Sequence, residues 1–308
     1  AVPGTFGASM PKENLESDRT RGFELELRHH NRIGEVGYSV TGNMAITRSM
    51  WRYKERTPSG NSYDNWRNNL TDRYNDIWFG YGDGGRYTSW DQIINSPIFA
   101  GNATLPGDYI YEDCDGTIDD MDKYPIATTT NASAANFQDK KNYPLMNFGL
   151  TLSAQWKGFD VSMTFQGSAM SYVSYGEQLS APLQFDGNAL DMFLDRWRPV
   201  DPKQDPYDPS CQWISGYYSY GGTTPDQNSE FAIQKGTYLR LKTAEIGYTL
   251  PKHWLAPVGV KSLRVYMNGY NLFTLTGVKG VDPERPTELY GYMYPLNRTY
   301  NFGASITF

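Results

Sequence analysis

Long apolar runs are missing from this chain of 308 residues. None approaches the ~18 residues that a membrane-crossing helix needs, and mean hydropathy is low at −0.61. No membrane-crossing helix is expected in these residues, and a membrane barrel stays open, because barrel strands are apolar on one face only. Cysteine is almost absent: Cys114 and Cys211 read as unpaired thiols on separate loops, with a single disulfide as the alternative in an oxidising compartment. Of the three histidines, His29 and His30 are adjacent on an extended segment and so face opposite ways, and His253 stands alone beside Trp254. All three read as structural. Basic charge is scarce as well. The net charge is −6 with no basic stripe, which argues against nucleic acid as a partner. No phosphate loop, nucleophile–base arrangement or zinc spacing occurs, so no catalytic residues are expected and a non-enzyme is the reading. Asp and Glu are plentiful, though, and sequence alone cannot pair two of them across a cleft. The start, Ala1-Val2-Pro3-Gly4, lacks the charged and apolar parts of a signal peptide; the chain is expected to be a mature start or a piece of something longer.

What the chain has is aromatic residues and alternation. Aromatics make up 15%, with 24 Tyr and 8 Trp. In the last nine residues Tyr300, Phe302, Ala304, Ile306 and Phe308 fall on one side of an extended strand, and Asn301, Gly303, Ser305 and Thr307 on the other. The same period of two predicts strands over 22–30, 36–47, 147–156, 159–167, 237–250 and 262–273. Lys157-Gly158 is a two-residue hairpin turn between the third and fourth. Their apolar faces, Phe148 to Trp156 and Phe159 to Phe165 at every second residue, carry no charge. From Phe148 to Trp156 the strand spans ~27 Å, about one bilayer core. The fifth strand changes phase between Leu241 and Ile246, and a β-bulge near Thr243 would reconcile its halves.

Connections alternate short and long. The segments 48–146, 168–236 and 274–299 are the long ones, a length that is usually functional. Outer-membrane barrels put short turns on the periplasmic side and long loops outside, and with a periplasmic C-terminus all three long segments fall outside. Seven strands is an odd count, however, and too few to enclose a useful lumen beneath such loops. The expected fold is therefore an all-β antiparallel transmembrane barrel, of which residues 1–308 form the C-terminal part, with at least one strand preceding Ala1 and outer-membrane lipid on the apolar face.

Particular words along these strands are similar to one family, the SusC/RagA-type TonB-dependent transporters of the Bacteroidota outer membrane. They are Asn14 with Arg21-Gly22-Phe23-Glu24-Leu25, Asp113-Cys114-Asp115-Gly116-Thr117-Ile118-Asp119-Asp120-Met121-Asp122, Arg196-Trp197-Arg198-Pro199, Thr237-Tyr238-Leu239-Arg240-Leu241-Lys242, Gly247-Tyr248-Thr249-Leu250-Pro251, Asn271-Leu272-Phe273, Asp282-Pro283-Glu284, Tyr294-Pro295 and the terminal Phe308. Together and in order they cover nearly the whole chain. The resemblance implies a 22-stranded barrel around a plug domain absent from this chain, with the rest of barrel and plug supplied by the missing polypeptide. It implies contact with TonB through the N-terminal part, a SusD-type surface lipoprotein as lid, and import of oligosaccharides or peptides across the bacterial outer membrane. Phe302, Ile306 and Phe308 would then serve barrel closure and assembly.

Two candidate sites lie in the long loops. Asp113, Asp115, Asp119 and Asp122, around Gly116, are spaced like positions 3, 5, 9 and 12 of a calcium loop. Position 1 would be Tyr111 and position 12 is Asp, so a solvated acidic turn is the alternative to a structural Ca2+; no cofactor is required. Trp78, Tyr81, Trp90, Trp213, Tyr217 and Tyr218 are candidates to touch substrate or lid, since aromatic faces flanked by Asp, Asn and Gln suit sugars. The alternative is that these rings pack the loops together. The rival to the whole reading is a soluble extracellular β-sandwich that binds or cleaves glycans, and a plug-free porin-type channel is a second.

Overall fold

The structure, a computed structural model, describes residues 14–58, 60, 62–79, 82–95, 105–111, 137–139, 143–221, 223–224, 229–284 and 296–308. Seven strands form one antiparallel meander in chain order: β1 (Ser17–Ile33), β2 (Val36–Tyr53), β3 (Met146–Trp156), β4 (Phe159–Ala169), β5 (Tyr238–Thr249), β6 (Ser262–Thr276) and β7 (Thr299–Thr307). The two-residue strand Arg73–Tyr74 adds to the far end of β2. Every predicted strand is present. β1 and β2 are longer than expected because their backbone ladder continues past the last apolar alternation, through pairs such as Arg21 with Arg48.

Cross-strand partners share a face, so the register can be read as rows. One row runs Asn31, Tyr38, Ala154, Val161, Ile246, Met267, Phe302 across all seven strands. A nearby row on the other face runs Arg28, Thr41, Thr151, Thr164, Thr243, Tyr270, Thr299. One face is a wall of methyls and rings and the other a wall of hydroxyls. The expected bulge is there: the register shifts between Leu241 and Thr243 against both neighbours of β5. Against β6 the additional residue is on β6, between Tyr270 and Phe273, where Asn271 has φ 53°. Against β4, Lys242 is the extra residue, and its insertion keeps Leu239 and Leu241 on the same face as Ile246 and Tyr248. Opposite it, Leu272 folds over Gly269, where a Cβ would lie 2.6 Å from its Cδ2.

Turns and long connections segregate. Gly34-Glu35, Lys157-Gly158 and the link 250–261 join strands at one edge, and 54–145, 170–237 and 277–298 leave from the other. Both central residues of the Lys157-Gly158 turn have positive φ, 45° and 89°, the geometry of a type I′ hairpin turn whose twist matches its strands.

The hydrophobic core of this molecule is not under the sheet. It lies in the long connections, where Val173, Tyr175, Leu179, Met192, Phe193, Tyr218 and Val278 pack together. Most of the apolar face of the sheet has no cover among the described residues: Leu27 is 63% exposed, Ile246 50% and Phe302 79%. Trp156 and Phe159, at the turn edge, are also about half exposed. Exposed apolar area on this scale is an interaction surface. Its spread over all seven strands and its aromatic rim fit lipid. A sandwich would bury these rows between two sheets, and that rival fails. The long connections are also more structured than their sequence indicates, with four short ribbons: 77–79 with 137–139, 83–86 with 109–111, 172–174 with 233–235, and 198–199 with 213–214. No described helix is long and apolar enough to cross a membrane, which bears only on helices.

Candidate functional site

Polar side chains converge on the polar face of the sheet and in the body of connections above it. Near the turn edge the polar face carries a bridge over four strands. Arg264 on β6 reaches two strands away to Asp160 on β4, with Nε donating to Oδ1 at 3.0 Å and Nη2 to Oδ2. The same Nη2 donates to Glu245 on β5 at 2.6 Å. The Asn268 amide donates to the other Glu245 oxygen at 3.2 Å, and Asn301 on β7 donates to Asn268 at 2.9 Å. The reach depends on Gly247, which lies between Asp160 and Tyr266 in the register; a Cβ there would overlap the Arg264 guanidinium. Beside this bridge is a recess of about 680 Å³ lined by Arg32, Gln155, Lys157, Asp160, Thr249 and Arg264. A second, of about 610 Å³, is lined on its polar side by Glu24, Glu26, Asn43, Asn147, Thr151 and Gln166. Such surfaces offer donors and acceptors to water or to a polar solute.

At the opposite edge the connections fold over the polar face. Arg240, in a family-like word of β5, is 1% exposed. It donates to Thr274 at 2.9 Å, to Glu284, and through Nη2 to both oxygens of Asp282 at 2.7 and 2.6 Å. Gln166 on β4 donates to the other Glu284 oxygen at 3.2 Å. The segment 282–284 therefore lies across the polar ends of β4, β5 and β6. Above it, Tyr175 both donates to the Lys279 carbonyl and accepts from the Lys279 N–H, and burial pushes its phenol up to about 12. Arg86 stacks over Tyr109 at 3.8 Å and donates to the Tyr217 carbonyl, joining the first long connection to the second.

One loop carboxyl is placed to titrate. Asp108 is 3% exposed; burial pushes it up to about 6, against the pull of the Leu105 N–H, Thr223 and Arg86. A carboxyl whose pKa is raised by folding binds its proton more tightly when folded. The fold around it thus gains stability as pH falls from about 6 toward 4 and loses it over the same window as pH rises. Hydrogen exchange of 105–111, corrected for the intrinsic pH dependence, should show firmer protection at pH 5 than at pH 7.5, and Asp108→Asn should flatten that difference.

The comparisons agree with this geometry. No protein-family model matches the chain. The TonB-dependent receptor P3 of Formosa agariphila is 24% identical over the whole chain, which covers 30% of that protein. SusC of Bacteroides thetaiotaomicron is 27% identical over 63% of the chain. Among solved structures, the RagAB peptide importer in its open-open state aligns over the whole chain with a TM-score of 0.63 and 18% identity, covering 30% of that chain. The chain is similar to the SusC/RagA-type TonB-dependent transporters. It spans about a third of the length of the relatives it matches over its whole length. Its sheet is a partial antiparallel barrel, with the apolar face as the outside and the polar face as the lumen side.

Within this wall and the connections above it the candidate residues have varied positions. Phe302, Ile306 and Phe308 are all exposed, the first two on the outer face of β7, and Lys261 Nζ donates to the Phe308 carbonyl at 2.8 Å. Tyr217 is 41% exposed. Trp90 is half-buried against Tyr207 at 6.3 Å, and Trp213 half-buried against Tyr220 at 5.5 Å. Tyr218 is 4% exposed, with its ring 4.6 Å from that of Phe193; it packs the connections together. The backbone of Trp78 lies in the ribbon 77–79, and its side chain is outside the described residues. So are Tyr81 and the proposed calcium ligands Asp113, Asp115, Asp119 and Asp122. Among the described residues no three His, Cys, Asp or Glu side chains form a group that could hold a metal. Cys211 is a free, buried thiol, raised by burial and by Asp208, Asp205 and Asp201; Cys114 lies outside the described residues. Sequence reasoning missed Arg240, Asp282, Glu284 and Arg264 as a set. The only available signal was that three of them stand in family-like words or beside one.

Proposed function

We propose that this chain is the wall and outer mouth of a TonB-dependent importer in the bacterial outer membrane. In this reading a larger polypeptide supplies the remaining strands of a 22-stranded barrel and a plug, and engages TonB. A SusD-type lipoprotein covers the mouth, and the cargo is an oligosaccharide or a peptide. The role is transport without catalysis. One observation carries the reading: a single-layer sheet with an uncovered apolar face, a hydroxyl-lined opposite face and every long connection at one edge. That arrangement is useful only where lipid meets one side and water the other. The polar face supports cargo rich in hydrogen-bonding groups, because it presents Thr, Ser, Asn, Gln and carboxylate side chains in register.

The test is co-purification. Full-length protein, tagged in its own organism and extracted in mild detergent, should bring down one surface lipoprotein together with an oligosaccharide or peptide pool identifiable by mass spectrometry. Deleting its gene should abolish growth on the recovered compound. Release of the protein into detergent-free buffer, with no lipoprotein attached, would overturn the reading.

A further inference from the structure

We propose that Arg240 is a positioning residue of the outer mouth: it fixes the segment 276–284 on the lumen face and thereby sets where the whole body of outer connections sits above the wall. The segment is held from two sides by different chemistry. On the wall side are ions, with Asp282 and Glu284 on the Arg240 fork, Gln166 on Glu284, and Lys242 at 3.7 Å from the same carboxylate. The bulge has a part in this, since the extra residue leaves Lys242 beside the segment while Thr243 resumes the inward row. On the body side the contact is apolar. Val278 is buried among Tyr175, Leu179, Met192, Phe193 and Tyr218. Gly280, at φ +77°, approaches so closely that a Cβ would lie 2.9 Å from the Met192 sulfur. What holds the segment to the wall therefore also holds the body to the wall.

The choice of ions is informative. A buried ion pair adds little stability over a well-packed apolar contact, because desolvation offsets the attraction. What a planar guanidinium supplies is one placement, since its donors match two carboxylates in a single orientation. Arg240 is the fixed point: it is fully buried, while Asp282 is 17% and Glu284 33% exposed on their side chains. The clamp requires the barrel wall but not import, so its failure and that of the transport reading are separable.

The experiment uses the full-length protein in lipid nanodiscs, with Cys114 and Cys211 replaced by Ser. Spin labels at Lys157→Cys on a turn and Lys203→Cys in the body report body against wall by pulsed dipolar spectroscopy. Labels at Arg32→Cys at the end of β1 and Lys252→Cys after β5, at the same edge but several strands apart, report the wall alone. With Arg240 intact, both pairs should give one narrow distance. Arg240→Met, and separately the pair Asp282→Asn with Glu284→Gln, should lose the narrow body–wall distance and keep the wall distance. Arg240→Lys, which retains charge without the fork, should fall between. A body–wall distance that stays narrow in Arg240→Met would overturn the proposal, as would equal broadening of both pairs, which would make Arg240 a general stabiliser of the barrel.

Discussion

Gly247→Val will weaken the barrel wall as much as deleting the guanidinium it makes room for. Gly247 on β5 has Asp160 on one side and Tyr266 on the other in the register, and the Arg264 side chain crosses directly over it to reach Asp160. Any β-carbon there displaces the guanidinium. Asp160 and Glu245 are then left facing each other with their shared cation withdrawn, and the Asn268–Asn301 extension loses its anchor. Hydrogen bonds to charged groups contribute about 1.5–3 kcal/mol each when buried. Because Arg264 is 26% exposed, the expected loss for the whole bridge is toward the low end, roughly 1–3 kcal/mol. Arg264→Met should cost about the same. Both act by removing one interaction, so the double variant should be barely worse than either single one, whereas independent sites add. Thermal unfolding of the folded, gel-shifted form in detergent measures all three. Full additivity would show that Gly247 and Arg264 act separately.

The wall was legible in the sequence because a strand with two different environments writes its own period. Val161 and Ser162 are consecutive and chemically opposite, and their neighbours in the rows are opposite in the same sense: Ala154 and Ile246 for the first, Ser153 and Glu245 for the second. The phase change of β5 was legible for the same reason, since a break in alternation has no other inexpensive explanation than an extra residue. Strand ends were less so. Beyond Ile46 the β2 ladder persists on backbone hydrogen bonds while its side chains lose any common face, and periodicity cannot follow it there.

The mouth was hardly legible at all. Arg240 and Asp282 are 42 residues apart, and Arg264 and Asp160 are 104 apart; nothing local marks either pair. The aromatic residues of the connections were visible, but not their division between an exposed Tyr217 and a buried Tyr218. Those two differ by their place in a fold that has no repeat. Resemblance supplies what periodicity cannot: Arg240 and Asp282-Pro283-Glu284 stand in family-like words, and the fold brings those two words into contact.

A charge on the outward row will be far less tolerated than the same charge one residue along. Val161 lies on the apolar face of β4, two residues in from Phe159 at the turn edge, between Ala154 and Ile246. An arginine on the lipid face of a barrel strand costs about 2–4 kcal/mol at the bilayer midplane and less toward the interface, so the cost here lies below that range. Ser162 points to the polar side, next to Glu245, where an arginine finds water and a carboxylate. The difference comes entirely from the two-faced wall, because both positions share strand, depth and backbone pairing. The most direct measurement is the fraction of full-length protein that reaches the outer membrane as the folded, heat-modifiable species, for Val161→Arg and Ser162→Arg side by side. A clear loss for Val161→Arg with near-normal assembly of Ser162→Arg is the predicted result. Equal assembly of the two, or a greater loss for Ser162→Arg, would contradict a wall with lipid on one side and water on the other.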